Sequence, residues 1–304
     1  MRQAIHDAAP RSGGTIETPS GKGARDENFP VGSWLLPARL RPHVATFYRY
    51  ARAIDDIADN PRLVAHDKVA RLERFAAAIR GEERDEPALA TAHAMRASLA
   101  ATGIATRHCL DLIAAFEQDA TKLRYADWSE LMGYCALSAN PVGRYLIDLH
   151  GEPRHAYPAS DALCSALQVL NHLQDCQDDF RNLDRVYLPL DWLDEERLPV
   201  EVLNEVQASP GLRRMLDRCL DGVDALLGQA AALPAQLGTR LALESAVILR
   251  LAQSLTRRLR GGDPLAGRVA LTRGDLLAAG TGGIFAGLTR RRRAHAVKLG
   301  SERS

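Results

Sequence analysis

The stretch that decides the fold is FYRYARAIDDIAD, residues 47–59. Its apolar residues recur at helical spacing, and Asn60-Pro61 ends the pattern. Asp55 and Asp59 are four residues apart, so a helix presents both carboxylates on one face. Like charges at that spacing destabilise a helix unless something offsets them. Taken alone, the pair also fits an ordinary polar helix end.

A second acidic pair stands at the end of another apolar stretch. Asp175 and Asp179 repeat the four-residue spacing. Asn171 lies one turn earlier on the same face, and Gln168 lies near it. Burying such a polar stripe without partners would cost several kcal/mol. The pattern therefore predicts a helix that borders a cavity filled with cations and water.

The two acidic pairs together indicate a metal-diphosphate site between helices. Facing carboxylates need cations, and oxygen ligands favour Mg²⁺, which completes its octahedron with water and substrate phosphate. Arg52 and Tyr48 precede Asp55 by three and seven residues and share its face. Arg52 is suited to bind diphosphate oxygens bidentately. The alternatives are that Arg52 forms a salt bridge to an aspartate and that Tyr48 belongs to the core.

The rest of the chain also has helical periodicity. The predicted helices span residues 35–59, 68–79, 88–101, 106–123, 128–139, a stretch reaching 149, 161–179, 211–232, 234–259 and 272–288, and 181–199 is predicted to be irregular with a short helical turn. No stretch shows sustained two-residue alternation with β-branched residues, and the helix formers Ala, Leu and Arg dominate. The predicted fold class is all-α.

The composition excludes several classes of protein. There are 39 basic and 38 acidic residues, a balance that gives no general attraction to nucleic acid. The four arginines at 290–293 fit either a solvated tail or a contact with anionic lipid. The five cysteines are scattered without a CxxC pair, which argues against zinc and disulfides and favours a reducing cytosol. We find no uncharged apolar run of about 18 residues, the length that predicts a membrane-spanning helix.

The motifs resemble those of squalene/phytoene synthases. Residues 47–59 resemble the first aspartate motif of that family, and LQVLNHLQDCQDDFRNLDRVYLP, residues 167–189, resembles the second. YCALSANPVGRYLIDLHG, residues 134–151, resembles the helix between them. The resemblance implies a single-domain isoprenoid-synthase helical bundle around a central cavity, spanning residues 26–288. Residues 1–25 would then be a disordered leader and 289–304 a basic tail.

The resemblance also implies roles for individual residues. Mg²⁺ would be bound by Asp55, Asp59, Asp175 and Asp179. Tyr48, Arg52 and Tyr134 would act near the leaving diphosphate, and Arg52, Gln168, Asn171, Arg185 and Tyr187 would bind the substrate. Phe47, Tyr50, Phe116 and Tyr134 are candidate aromatic walls for a carbocation, and each of them also fits an ordinary core position.

Residues 27–37, ENFPVGSWLLP, and the NPVG of 140–143 resemble the hydroxysqualene synthase branch of bacterial hopanoid biosynthesis. That likeness implies a lyase or transferase that converts presqualene diphosphate, supplied by a sister enzyme, to hydroxysqualene. The alternatives are a squalene, dehydrosqualene or phytoene synthase that joins two prenyl diphosphates such as farnesyl diphosphate, and a non-catalytic assembly factor. A cytoplasmic location is expected, with peripheral contact at the inner face of the membrane.

Two departures from the family pattern carry further expectations. Gln174 stands where many relatives have arginine before the aspartate, so a basic contact to diphosphate is either missing or supplied from elsewhere. Asn140 and Gln174 are amides near the expected cavity and are candidates for holding the water that ends the reaction. For Asn140 the alternative is a helix N-cap before Pro141.

Overall fold

The computed structural model describes residues 37–84 and 86–279, and this part of the chain is almost entirely helical. The helices are α1 (Arg41–Ala58), α2 (Ala65–Arg80), α3 (Ala90–Thr102), α4 (Arg107–Thr121), α5 (Trp128–Ser138), α6 (Asn140–His150), α7 (Tyr157–Leu183), α8 (Leu190–Glu195), α9 (Pro210–Ala230), α10 (Leu233–Gln236) and α11 (Thr239–Gly261), with short 3₁₀ turns at Pro87–Leu89, Arg154–Ala156 and Val200–Asn204. The all-α prediction is confirmed. The predicted leader, the basic tail and its arginines lie outside the described residues.

The core consists of two hydrophobic clusters. One is formed by α1 to α4 and receives Tyr145 and Leu149 from α6. The other surrounds α7, which packs against α9, α6 and α11. Helices from both clusters line a common cavity, so the site lies where the two clusters meet.

Helix α7 is the longest of the described elements, at 27 residues. It begins with a proline in its first turn, where the missing backbone N–H costs nothing, and it ends at Asp184, which adopts a left-handed conformation with φ of 53°. The helix thus extends beyond the predicted 161–179 at both ends. Because it is continuous through residue 183, the whole polar stripe from Gln168 to Asp179 lies on one rigid element.

Two short parallel strands, β1 (Arg124–Tyr125) and β2 (Val186–Pro189), join the chain after α4 to the chain after α7. The Val186 N–H donates to the Leu123 carbonyl at 2.9 Å. The prediction of an irregular 181–199 was therefore wrong for β2, because two- and four-residue strands are too short to show a period. The pairing holds Arg185 and Tyr187 against the cavity.

Helix α6 packs closely on α7 at Gly143. A Cβ at this position would lie 2.4 Å from Ser160 Oγ and 2.7 Å from Cys164 Sγ, so a larger residue would push the two helices apart. Among the described residues, no helix combines the length and the apolar character needed to cross a membrane.

Candidate active site

A cavity of about 350 Å³ opens between α1, α4, α5 and α7. The structure brings all of the predicted site residues to it: Tyr48, Arg52, Asp55, Asp59, Tyr134, Gln168, Asn171, Asp175, Asp179, Arg185 and Tyr187. Residues far apart in the chain therefore share one chamber, and their chemical roles stay predictions. Of the other candidate walls, Phe116 lines the cavity, whereas Phe47 stacks on Tyr145 in the core and the Tyr50 hydroxyl donates to a buried backbone carbonyl.

The first acidic pair is held by the last turns of α1. The opposite face of this helix carries the fully buried Ile54 and Ile57, which fix its rotation and direct the acids to the cavity. Arg52 Nη1 donates to Asp55 Oδ2 at 2.6 Å, so the salt bridge that the sequence left as an alternative is formed. Arg185 Nη1 donates to Asp59 Oδ1 at 2.6 Å. Arginines from two different elements thus partly balance this pair.

The cavity carboxylates repel one another. Burial raises the pKa of Asp55 to about 7, with the Asp59 charge adding to the effect and Arg52 opposing it. Burial likewise raises the pKa of Asp179 to about 7, and the charges of Asp175 and Asp59 add to it. The Asp59 charge thus raises the pKa of an acid on each of the two helices. The two pairs therefore form one negatively charged site that favours a bound cation.

The second acidic pair is reached by a basic residue from the segment after α11. Arg268 Nη1 donates to Asp175 Oδ1. The same segment is anchored one residue away, where Gln174 Nε2 donates to the Val269 carbonyl at 2.5 Å. Arg268 thus brings a basic group to Asp175 from a segment 93 residues further along the chain, and whether it replaces the arginine absent at position 174 as a diphosphate contact stays a prediction. Gln174 itself does not line the cavity, contrary to its expected role with water.

Asp119 of α4 is a cavity residue that the sequence analysis missed. It is 3% exposed, and its carboxylate accepts hydrogen bonds from the hydroxyls of Tyr134 at 2.7 Å and Tyr187 at 2.6 Å. Arg185 Nε donates to the Asp119 carbonyl at 3.0 Å. Burial raises the pKa of Asp119 to about 6, although Arg185 and the two phenols oppose the shift. No acid lies four residues before or after Asp119, so no local signal marked it.

His172 is the other buried polar residue that was missed. Its ring stacks on Tyr187 at a centroid separation of 3.7 Å, and burial, assisted by the Arg185 charge, lowers its pKa to about 3. The imidazole is therefore neutral. Gln168 Nε2 lies 3.2 Å from His172 Nε2, and in this orientation the amide nitrogen donates to the neutral ring. The site thus contains an aromatic group that adds no positive charge.

The carboxylates fit magnesium. Among residues 37–84 and 86–279, no three His, Cys, Asp or Glu side chains converge as ligands of one ion. Magnesium is usually bound through one or two carboxylates together with water and substrate phosphate, so acid pairs spread around a cavity suit it better than a closed cage would. The raised pKa values of Asp55 and Asp179 indicate that their ionised forms are destabilised there, a cost that a bound cation would offset.

Two helices of this bundle direct acid pairs into one chamber. This arrangement places the protein in the class of helical isoprenoid synthases. The chain belongs to the squalene/phytoene synthase family, whose sequence model matches residues 23–275. It is an enzyme of that family that acts on isoprenoid diphosphates. The resemblance seen in the motifs is confirmed.

Several relatives match most of the chain. The sequence is 43% identical over 276 residues to hydroxysqualene synthase of Rhodopseudomonas palustris, covering 90% of this chain and 94% of the relative. It is 41% identical to hydroxysqualene synthase of Zymomonas mobilis, with 88% and 91% covered. A 15-cis-phytoene synthase of Paracoccus is 28% identical, with 85% and 86% covered.

Solved structures agree with the fold. The crystal structure of squalene synthase HpnC from Alicyclobacillus acidocaldarius matches with a TM-score of 0.67 and 30% identity, covering 76% of this chain and 87% of that one. A dehydrosqualene synthase with a bound ligand matches with a TM-score of 0.70 at 17% identity, covering 83% and 88%. The second likeness shows the fold alone.

Proposed function

We propose that this protein is a magnesium-dependent isoprenoid synthase that converts presqualene diphosphate and water to hydroxysqualene and diphosphate, in squalene and hopanoid biosynthesis. The observation that carries the proposal is the single chamber that joins both acid pairs to a neutral aromatic wall. The identity of 41–43% to hydroxysqualene synthases supports this outcome over that of the phytoene synthases, which are 28% identical.

The polar end of the chamber is suited to receive the leaving diphosphate. Asp55, Asp59, Asp175 and Asp179 would hold Mg²⁺, which would neutralise the charge that builds on the departing oxygens. Arg52 donates a hydrogen bond to Asp55, and Arg268 donates one to Asp175. Their guanidinium groups add positive charge where the C–O bond breaks, and this charge stabilises the diphosphate as it forms.

The aromatic wall is suited to the carbocation that remains. The Tyr134 ring lies 5.4 Å from Tyr187 and 5.9 Å from His172. Burial and the Asp119 charge raise the pKa of both phenols, so the rings stay uncharged and hydrogen-bonded to Asp119. Ring faces attract cations, and the neutral His172 does not repel them. The chain thus holds rigid aromatic groups next to the site of ionisation.

The test is incubation of the purified protein with presqualene diphosphate and Mg²⁺ in ¹⁸O-water without NADPH. We expect an alcohol of hydroxysqualene mass that carries one ¹⁸O atom, and no turnover when the metal is chelated. Adding NADPH should not redirect the product to squalene. Squalene as the main product, an unlabelled alcohol, or turnover only with two prenyl diphosphates would contradict the proposal and favour the squalene, dehydrosqualene or phytoene synthase alternatives.

We further propose that the protein is cytoplasmic, with peripheral contact at the inner face of the membrane and with sister enzymes that supply its substrate. The apolar substrate and product support this, as do Leu276 and Leu277, which are 49% and 71% exposed on the helical segment 273–279. Removing residues 288–304, with the arginines at 290–293, should weaken binding to anionic liposomes in a flotation assay. Unchanged binding would exclude a contribution from the arginines.

A further inference from the structure

Ser138, the last residue of α5, carries a hydroxyl that the fold does not use. The residue lines the cavity, and its Oγ is buried without a hydrogen-bond partner among the described residues. A buried hydroxyl that lacks a partner costs free energy, and such a group in a native protein calls for a ligand or water. We therefore expect this hydroxyl to form a hydrogen bond with a ligand or a water molecule in the cavity.

Two contacts locate Ser138 along α7. Four residues earlier on α5, the Tyr134 ring lies 5.9 Å from His172. Two residues later, Asn140 Oδ1 accepts a hydrogen bond from Ser165 Oγ at 2.9 Å. Ser138 thus lies between these contacts, at a level between His172 and Ser165 of α7.

Of the α7 cavity residues between these two contacts, Gln168 and Asn171, Gln168 lies nearer the level of Ser138. It precedes Asp175 by seven residues, which is about 10 Å along a helix. Ser138 is thus set back from Asp175 by about two helical turns, away from the α7 carboxylates that would hold the diphosphate.

Gln168 can share a ligand with Ser138. Its amide nitrogen donates to the neutral His172, and its Oε1 remains available to accept. A water held in a cavity needs two to four polar partners, and a serine hydroxyl together with an amide oxygen meets the lower bound. Asn140 and Gln174, the two amides that the sequence predicted for this role, form hydrogen bonds elsewhere. Asn140 accepts from Ser165, and Gln174 donates to the Val269 carbonyl.

We propose that Ser138, with Gln168 as the second partner, orients the water molecule that captures the carbocation and so determines that the product is an alcohol. This inference rests on the proposed function. The water oxygen gives a lone pair to the cationic carbon and forms the C–O bond. One O–H bond then breaks with its electrons remaining on oxygen, and the proton passes through water in the cavity to the released diphosphate.

Without an oriented water, the same cation has a second way to react. A C–H bond next to the cationic carbon breaks, its electron pair forms a C=C bond, and the proton again passes to diphosphate. The product is then a hydrocarbon. Both outcomes follow the same ionisation, so the ratio of alcohol to hydrocarbon reports on Ser138 separately from the rate of diphosphate release.

The experiment compares Ser138→Ala, Ser138→Val and Ser138→Thr with the wild type, using presqualene diphosphate and Mg²⁺. Released diphosphate is measured together with both products. For Ala and Val we expect the ratio of alcohol to hydrocarbon to fall about fivefold to tenfold, the effect of one lost hydrogen bond, while diphosphate release stays within about threefold. Ser138→Thr, which keeps a hydroxyl, should retain the wild-type ratio.

Ser165→Ala is the matched control, because it removes a buried serine hydroxyl that does not line the cavity. It should leave the product ratio unchanged. An unchanged ratio in both Ser138→Ala and Ser138→Val would overturn the inference. A parallel loss of both products with diphosphate release would also overturn it, since that indicates a structural role. If the wild type forms no alcohol, the proposed function itself fails before any variant is compared.

Discussion

Partly buried acids in two regions of this protein have opposite electrostatics. In the cavity, burial and neighbouring carboxylates raise the pKa of Asp55 and Asp179 to about 7. On α6, Asp148 accepts hydrogen bonds from the Tyr157 hydroxyl at 2.6 Å and contacts His108 Nε2 at 3.0 Å. Burial tends to raise the pKa of Asp148, but these contacts outweigh it and lower the value. The acid on α6 is stabilised by the protein itself, whereas the cavity acids are stabilised by what the cavity binds.

The strongest test of that difference replaces one cavity acid by its neutral isostere. In Asp55→Asn or Asp175→Asn, we expect turnover to fall by at least about 100-fold, because the charge that binds the metal is lost. The free energy of unfolding of the metal-free protein should stay the same or rise, since each change removes one member of a repelling pair. Steady-state diphosphate release and thermal denaturation measure the two quantities.

Asp148→Asn is the matched control and should show the reverse. We expect the free energy of unfolding to fall by about 1–3 kcal/mol, because the network loses the carboxylate charge and one of its two acceptor oxygens. Turnover per folded molecule should stay near the wild-type value, since Asp148 does not line the cavity. If Asp148→Asn lost as much turnover as Asp55→Asn, the acid on α6 would not differ from the cavity acids in its role.

A smaller effect should appear in the pH dependence of stability. The pKa of Asp55 and of Asp179 is about 7 in the folded protein and 3.8 in a model peptide, so between these values the folded state binds more protons. The metal-free protein should therefore gain stability as the pH falls through 7, by up to about 1.4 kcal/mol per pH unit for each of the two acids. His172, with its pKa lowered to about 3, opposes the gain below the model value of 6.5.

Thermal melts of the metal-free protein over this pH range measure the slope. Asp55→Asn should make it shallower, and Mg²⁺ with inorganic pyrophosphate should do the same by stabilising the ionised acids. A metal-free protein that loses stability as the pH falls from 7 towards 6 would contradict the raised pKa values.

The acid pairs were visible in the sequence because their geometry is local. A four-residue spacing at the end of an apolar helix places two carboxylates on one face, whatever the rest of the chain does. The same periodicity predicted the all-α class. It also predicted that Arg52, Asn171 and Gln168 share the faces that carry the acids. None of these inferences needed a contact between distant segments.

The tertiary structure alone decided which polar side chains meet. Asp119 joins Tyr134 and Tyr187, which are 15 and 68 residues away, and Arg268 reaches Asp175 across 93 residues. Asn140 and Gln174 are polar residues near the site in sequence, yet both are bonded away from the cavity, and Ser138 instead presents an unused hydroxyl. Periodicity specifies a face of one helix, but the packing of helices against each other determines what that face meets, and this depends on the summed contacts of two hydrophobic clusters rather than on any local pattern.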